Sequence, residues 1–205
     1  AVNLFSFVEN PFTKDAYFNF DKFYKINYEA MRLSDDLIDL ELEHIDRILE
    51  KIKSDPESYD VKEREWDLWT KIKNTASSSR RAGLGFTALA DTLAALGLKY
   101  DSDEALKSVE EIMHTKMESE LDCTIDLAIL RGPFEGADPE MEFGVNISDP
   151  SNSWYEFLIN NFPEQAKRMY KYSRRNVSFS TVAPTGTVSL LTQTTSGIEP
   201  LFMPF

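Results

Sequence analysis

The run Asn176-Val-Ser-Phe-Ser-Thr-Val-Ala-Pro-Thr-Gly-Thr-Val-Ser189 holds the residues best suited to receive an anion. Phe179 to Ala183 is short, β-prone and closed by Pro184, so it predicts a strand. Proline fits the first turn of a helix, where its missing N–H would have had no acceptor. A strand that turns at once into a helix aims free N–H groups outward, and the helix dipole adds partial positive charge there. Gly186 lets an anion approach the backbone with no Cβ in the way. Thr185, Thr187 and Ser189 add hydroxyls. Two readings fit Pro184 to Val188: a cradle for a phosphate group, or an ordinary capped helix start after a strand. The pattern is not a P-loop, and it contains no lysine.

Three other groups of residues could do chemistry, and each has a plainer reading. Asp35, Asp39 and Glu43 share a helix face at i, i+4, i+8, with His44 beside them. Carboxylate-bridged metal sites in helical bundles bring Glu-x-x-His pairs from several helices, so a solvated helix face is favoured and no metal is expected. Cys123 sits in Leu121-Asp-Cys-Thr-Ile-Asp-Leu127 with no base indicated nearby, which favours a structural thiol over a nucleophile. Gly83 and Gly85 could open a nucleotide loop. Without a third glycine or a preceding strand, close helix packing is the better reading.

The elements that must position these residues are mostly helical. Ala1 to Val8 predicts a buried strand, followed by a turn at Glu9 to Thr13. From Phe20 to Lys53, Phe23, Ile26, Ala30, Leu33, Leu37, Leu40, Ile45, Ile48 and Ile52 predict one apolar face of a long helix. Ser54 to Ser58 breaks it. A second helix spans Val61 to Asn74, with Trp66, Trp69 and Ile72 on one side, and Thr75 to Ser79 is a loop or frayed end. Phe86 to Leu96 predicts a helix capped by Gly97. Asp101-Ser-Asp-Glu104 reads as a capping box opening a helix that ends near Arg131. Gly136 to Ser153 is a surface loop, and two short helices, Trp154 to Asn161 and Pro163 to Tyr172, lead back to the anion-suited run. Strands separated by long helical stretches indicate an α/β class. No internal repeat or domain boundary is evident, so residues 1–205 read as one segment.

At 205 residues the chain can bury roughly 70% of its unfolded surface and needs no covalent staples. A net charge of −13 argues against nucleic acid or an anionic membrane as partner, while Arg80-Arg81 and Arg174-Arg175 leave room for a local anion site. A single cysteine rules out a disulfide framework within the chain. No stretch reaches the ~20 apolar residues of a membrane span, which makes the cytoplasm the default location. Both ends are apolar, Ala1 to Val8 and Pro200 to Phe205. That composition reads as a piece cut from a larger protein, with self-association or a partner chain covering the exposed ends.

Ala183-Pro-Thr-Gly-Thr-Val-Ser189 followed by Thr192-Gln-Thr-Thr-Ser-Gly-Ile-Glu-Pro200 resembles the catalytic chain of ribonucleotide reductases. Ala1-Val-Asn-Leu4, Arg80-Arg-Ala-Gly-Leu-Gly85 with Leu89-Ala-Asp91, and Arg174-Arg-Asn176 resemble the same family in the same order. The resemblance is nearest to the adenosylcobalamin-dependent class and its relatives in class I. It implies an internal, mostly helical portion of a ten-stranded α/β barrel, with short strands near both ends. It also implies that Pro184, Thr185, Gly186, Thr187 and Val188 bind the phosphates of a ribonucleotide, in an enzyme that makes deoxyribonucleotides by thiyl-radical chemistry. The radical would come from adenosylcobalamin, or alternatively from a metal-containing subunit, with neither bound by this segment. The resemblance places the radical cysteine and one reducing cysteine ahead of Ala1, and class I radical-path tyrosines after Phe205. Cys123 matches none of these positions, so the segment carries no catalytic residue and should be inactive without the remainder of the catalytic subunit. The alternative is a non-enzymatic helical module that binds a phosphate ligand or a complementary chain.

Overall fold

A computed structural model of the chain describes residues 1–139 and 153–201. They comprise four two-residue strands and seven helices: β1 (Val2–Asn3), β2 (Val8–Glu9), β3 (Tyr17–Phe18), α1 (Phe20–Ser54), α2 (Tyr59–Ser79), β4 (Phe86–Thr87), α3 (Leu89–Ala95), α4 (Asp103–Arg131), α5 (Ser153–Asn161), α6 (Pro163–Tyr172) and α7 (Gly186–Thr192). A turn of 3-10 helix, Leu4–Phe7, links β1 to β2. The residues fall into two compact units: Ala1–Met31, Gly83–Cys123 and Ser180–Phe205 in one, Arg32–Ala82 and Thr124–Phe179 in the other.

In the first unit β1 pairs in parallel with β4, Val2 opposite Phe86. Leu84, just ahead of β4, forms a parallel bridge with Ser180. Three extended segments therefore lie side by side in one direction, each reached from the last through helices. That is the α/β arrangement, in which crossover helices cover a parallel sheet. β2 and β3 form a separate antiparallel pair. Leu4, Phe7, Phe18 and Phe23 are buried, and the Phe23 ring meets those of Phe7 and Phe18 edge to face at 5.0 and 5.3 Å. The expected strand over Ala1 to Val8 is thus interrupted, because Asn3 Oδ1 accepts from the Phe5 N–H and winds the chain into the 3-10 turn.

Several other expectations change. Phe179 to Ala183 contributes one bridging residue, not a ladder, so the strand near the far end is reduced to Ser180. A strand forms instead at Phe86–Thr87, where a helix was expected; Ala88 then takes φ +67° and caps α3. Gly97, at φ +73°, closes α3, with Leu98 N–H donating to Leu93 O and Gly97 N–H to Ala94 O. Gly83 and Gly85 sit in extended chain, not in a helix, where a Cβ would meet Thr181 Cγ2 at 3.4 Å. At the start of α4 the cap is Ser102, whose Oγ accepts from the Ala105 N–H. The third helical position is an alanine, so only half of the capping box exists.

In the second unit α1 and α2 form a hairpin around Ile45, Leu49 and Ile52, with Trp66 and Trp69 packed on them. α2 stays helical through Ser79, past the expected fraying point. α1 buries a stripe other than the one its leucines suggest. In the first unit it buries Phe23, Asn27 and Met31; in the second, Asp35, Ile38, Ile45, Leu49 and Ile52. Ile26, Leu33, Leu37 and Leu40 are exposed. Most of the expected Gly136 to Ser153 loop lies outside the described residues, as do residues 202–205. No helix among the described residues is long and apolar enough to cross a membrane.

Candidate functional site

The first unit brings the anion-suited run together with two other stretches. α7 begins at Gly186 with Thr185 as its N-cap. The Thr185 side chain does not cap the helix; it is buried, and its Oγ1 accepts from the Gly197 N–H at 2.8 Å. Ser189 and Ser196 hydroxyls lie 2.7 Å apart. Gly197 takes φ +45°, and a Cβ there would meet Ala183 O at 2.9 Å, so only glycine lets the turn close on the loop. Thr195 is held in turn by Asp91 of α3. Its N–H and Oγ1 both donate to Asp91 Oδ2, at 2.7 and 2.8 Å, and Thr195 O accepts from the Ala88 N–H at 2.9 Å. Tyr100 OH donates to Ile198 O on the other side of the turn. The Pro-Thr-Gly-Thr loop, the Ser-Gly-Ile-Glu-Pro turn and the β4–α3 corner are one hydrogen-bonded body.

What that body presents is narrow. Pro184, Gly186, Thr187 and Val188 are exposed, and a Cβ on Gly186 would meet nothing within 4 Å. The Gly186 N–H is already given to Pro184 O. The N–H groups of Thr187 and Val188 fall in the first turn, where a helix offers no acceptor, and the structure records none for them. Two N–H groups without a recorded acceptor therefore stand in the first turn of α7, where Gly186 and Thr187 are exposed. Thr185 Oγ1 accepts from the turn it holds.

Behind the sheet, Lys116 and Glu120 of α4 form a buried pair with Nζ 2.5 Å from Oε1. The ammonium also donates to Leu84 O at 2.9 Å and to Ser180 Oγ at 2.8 Å. Burial pushes the Glu120 carboxyl up, and the neighbouring Lys116 charge only partly offsets this. The i, i+4 spacing on α4 is a usable signal, but helical Lys–Glu pairs at that spacing are ordinarily surface features.

In the second unit Asp39 and Glu43 of α1 are exposed, as a solvated face requires, but Asp35 is not. Asp35 is fully buried. Its Oδ1 accepts from Arg80 Nε (2.8 Å) and Asn176 Nδ2 (2.9 Å), and its Oδ2 from Arg131 Nη1 (3.2 Å) and Arg175 Nε (3.5 Å). Arg80 also reaches Asp39, and Arg131 reaches Asp36. Burial alone would raise the Asp35 carboxyl; the hydrogen bonds from Arg80 and Asn176 and the charges of Arg80 and Arg175 win, holding it below the usual carboxylate range. Oxygens of Asp35, Asp36 and Asp39 lie within 4.8 Å of one another. Guanidinium groups occupy the positions a cation would need, so the cluster is an ionic hub. Asn176 Nδ2 also donates to Arg80 O, and its Oδ1 accepts from Thr124. Arg80 and Arg175 thus serve this hub, while Arg81 Nη1 donates to Ser178 Oγ at 3.5 Å and the Arg174 guanidinium lies 5.1 Å from the Phe134 ring centroid. Cys123 is buried in α4.

Parallel segments joined by helices, with a glycine-opened helix start beyond the last of them, define an α/β protein. Comparison narrows the class. A family model described as "Ribonucleotide reductase, barrel domain" matches residues 1–205, and the chain belongs to that family. The vitamin B12-dependent ribonucleoside-diphosphate reductase of Mycobacterium tuberculosis is 33% identical over 131 residues, 64% of this chain and 15% of that protein. Its counterpart in Thermoplasma acidophilum is 31% identical over 131 residues, 64% of this chain and 14% of that protein. The ribonucleoside-diphosphate reductase large subunit of Plasmodium falciparum is 27% identical over 185 residues, 89% of this chain and 20% of that protein. The chain therefore spans a fifth or less of each of these relatives.

Proposed function

We propose that this chain is the substrate-phosphate part of a ribonucleotide reductase catalytic subunit, in which Pro184 to Val188 grip the phosphates of a ribonucleotide. The supporting observation is the first turn of α7, where the Thr187 and Val188 N–H groups have no recorded acceptor, Thr187 is exposed and Gly186 is unobstructed. A helix end contributes about 0.3–1 kcal/mol toward an anion. Each hydrogen bond to a charged oxygen adds about 1.5–3 kcal/mol. Two or three such bonds suffice to orient a nucleotide without any lysine. Thr185, Asp91 and Ser196 also keep the loop in shape.

The complete enzyme would abstract the ribose 3′ hydrogen with a thiyl radical and replace the 2′ hydroxyl by hydrogen, oxidising two thiols. It would do so in the ten-stranded barrel of which this chain is one part. The names of the mycobacterial and archaeal relatives favour adenosylcobalamin as the radical source. That group would generate the radical when bound. Of the clefts formed by the described residues, one of about 420 Å³ is lined by Ile38, Lys71 and Ile72, and one of about 540 Å³ by Phe20, Glu110 and His114. We assign the cofactor to the remainder of the catalytic subunit. The reaction belongs to the cytoplasm and supplies deoxyribonucleotides for DNA replication.

The test is reduction of ribonucleotides by the complete chain with a dithiol and adenosylcobalamin. Deoxyribonucleotide formation is expected from the complete chain and not from residues 1–205 alone. No product from the complete chain under any radical source, with nucleotide still bound, would favour a non-enzymatic phosphate-binding module.

A further inference from the structure

Lysine is rarely buried, and a buried ammonium needs every donor satisfied. Lys116 meets that demand: its three donors go to Glu120 Oε1, Leu84 O and Ser180 Oγ. A buried ion pair is poor evidence for stability, since apolar residues of similar volume often serve as well. The choice of lysine therefore points to what the two further bonds do.

Those bonds straddle the Leu84–Ser180 bridge. From Leu84 the chain runs through β4 to Ala88 and Asp91, which hold Thr195. From Ser180 it runs to Pro184 and the start of α7. Both roots of the loop-and-turn body thus return to one ammonium. From Leu84 and Ser180 onward the direct contact between the two segments is the bridge, with Thr181 N–H donating to Leu84 O at 3.2 Å; ahead of it, Ala82 N–H donates to Ser178 O at 2.9 Å and Ser178 Oγ to Ala82 O at 3.1 Å. The glycines at 83 and 85 let the segments approach Thr181 closely.

We propose that Lys116 is a positioning residue for the phosphate loop: by holding Leu84 O and Ser180 Oγ together from behind, it sets where the first turn of α7 stands relative to the β4–α3 corner. This rests on the reading of Pro184 to Val188 as the phosphate loop. Glu120 supplies the balancing charge, and its carboxyl also interacts with the Ser180 hydroxyl.

The experiment compares three variants in the complete enzyme by denaturation midpoint and by steady-state kinetics with ribonucleotide. In Lys116→Met/Glu120→Leu both charges go and no ion is left stranded. The midpoint should stay close to wild type while KM rises about tenfold and kcat falls less than about threefold. Glu120→Gln keeps the ammonium on Leu84 and Ser180, so its KM should stay within about twofold even as its midpoint falls. Ser180→Ala keeps the ion pair and should raise KM about threefold. A merely structural pair would make KM follow the midpoint across the set, and that pattern overturns the proposal. So does a wild-type KM in a folded double variant. If the double variant does not fold, an unchanged KM in Ser180→Ala overturns it instead. Gly186→Val, run alongside, separates the two ideas. If Gly186→Val raises KM and Lys116→Met/Glu120→Leu does not, the lysine proposal fails alone; if Gly186→Val is silent, the phosphate reading fails.

Discussion

Asp35→Asn removes one charge from the centre of the ionic hub and changes the side-chain volume very little. The asparagine carbonyl can still accept from Arg80 Nε and Asn176 Nδ2, which share Asp35 Oδ1. Its amide would then face the donors of Arg131 and Arg175, which now share Oδ2. Breaking a buried pair by removing one partner costs about 3–5 kcal/mol. Arg80 keeps the half-exposed Asp39, so the low end, about 3 kcal/mol, is expected here. For a chain of this length that corresponds to a Tm lower by about 6–12 °C. The sign of the pH dependence is fixed by the direction of the Asp35 shift. Its folded-state value lies below the ordinary carboxylate value, so its contribution is complete above about pH 4 and is lost as pH falls through the folded value. Urea denaturation of the complete chain at a series of pH values should show the full deficit at pH 7 and a shrinking one in acid. A deficit below about 1 kcal/mol at pH 7, or one independent of pH, would mean that water can replace the carboxylate, and the hub would not be what holds these elements.

Ser173 adopts φ +61° and ψ −159°, a region nearly exclusive to glycine, and its buried Oγ has no hydrogen-bond partner. Ser173→Gly should raise stability by about 1 kcal/mol in the same assay, and a loss of stability would contradict the strained geometry. Cys123 is buried with no second cysteine in the chain, so Cys123→Ala should keep ribonucleotide turnover within about tenfold of wild type, about 1.4 kcal/mol of barrier. A larger loss with the fold intact would give the thiol a role in catalysis.

The helices were legible because their ends carry strong local signals: Phe20, the Ser54 to Ser58 break, Pro163 and Gly97 all stand where expected. The buried face of α1 was not. Asn27 and Asp35 occupy core positions because partners distant in the chain satisfy them, Ser119 and Lys116 for the first, Arg80 and Asn176 for the second. A hydrophobic count must skip such residues, and it drifts onto the exposed Leu33, Leu37 and Leu40. The strand at Phe86–Thr87 was hidden for a similar reason: its pairing partner is Val2, and the alanines after it look helical at either residue. At the candidate site, Pro184 and Gly186 could be read directly as a helix start. The occupation of Thr185 by Gly197 could not, because it depends on a turn closing from the other side.

The most direct measurement is the nucleotide affinity of Gly186→Val and Thr187→Ala in the complete enzyme. A valine side chain at 186 enters the open space in front of the Thr187 and Val188 N–H groups. Thr187→Ala removes the one exposed hydroxyl in that turn. The account predicts that Thr187→Ala weakens binding about tenfold, about 1.4 kcal/mol, and Gly186→Val by more, with the loss mainly in KM. Wild-type affinity in both would contradict it and leave Pro184 to Val188 as an ordinary helix start.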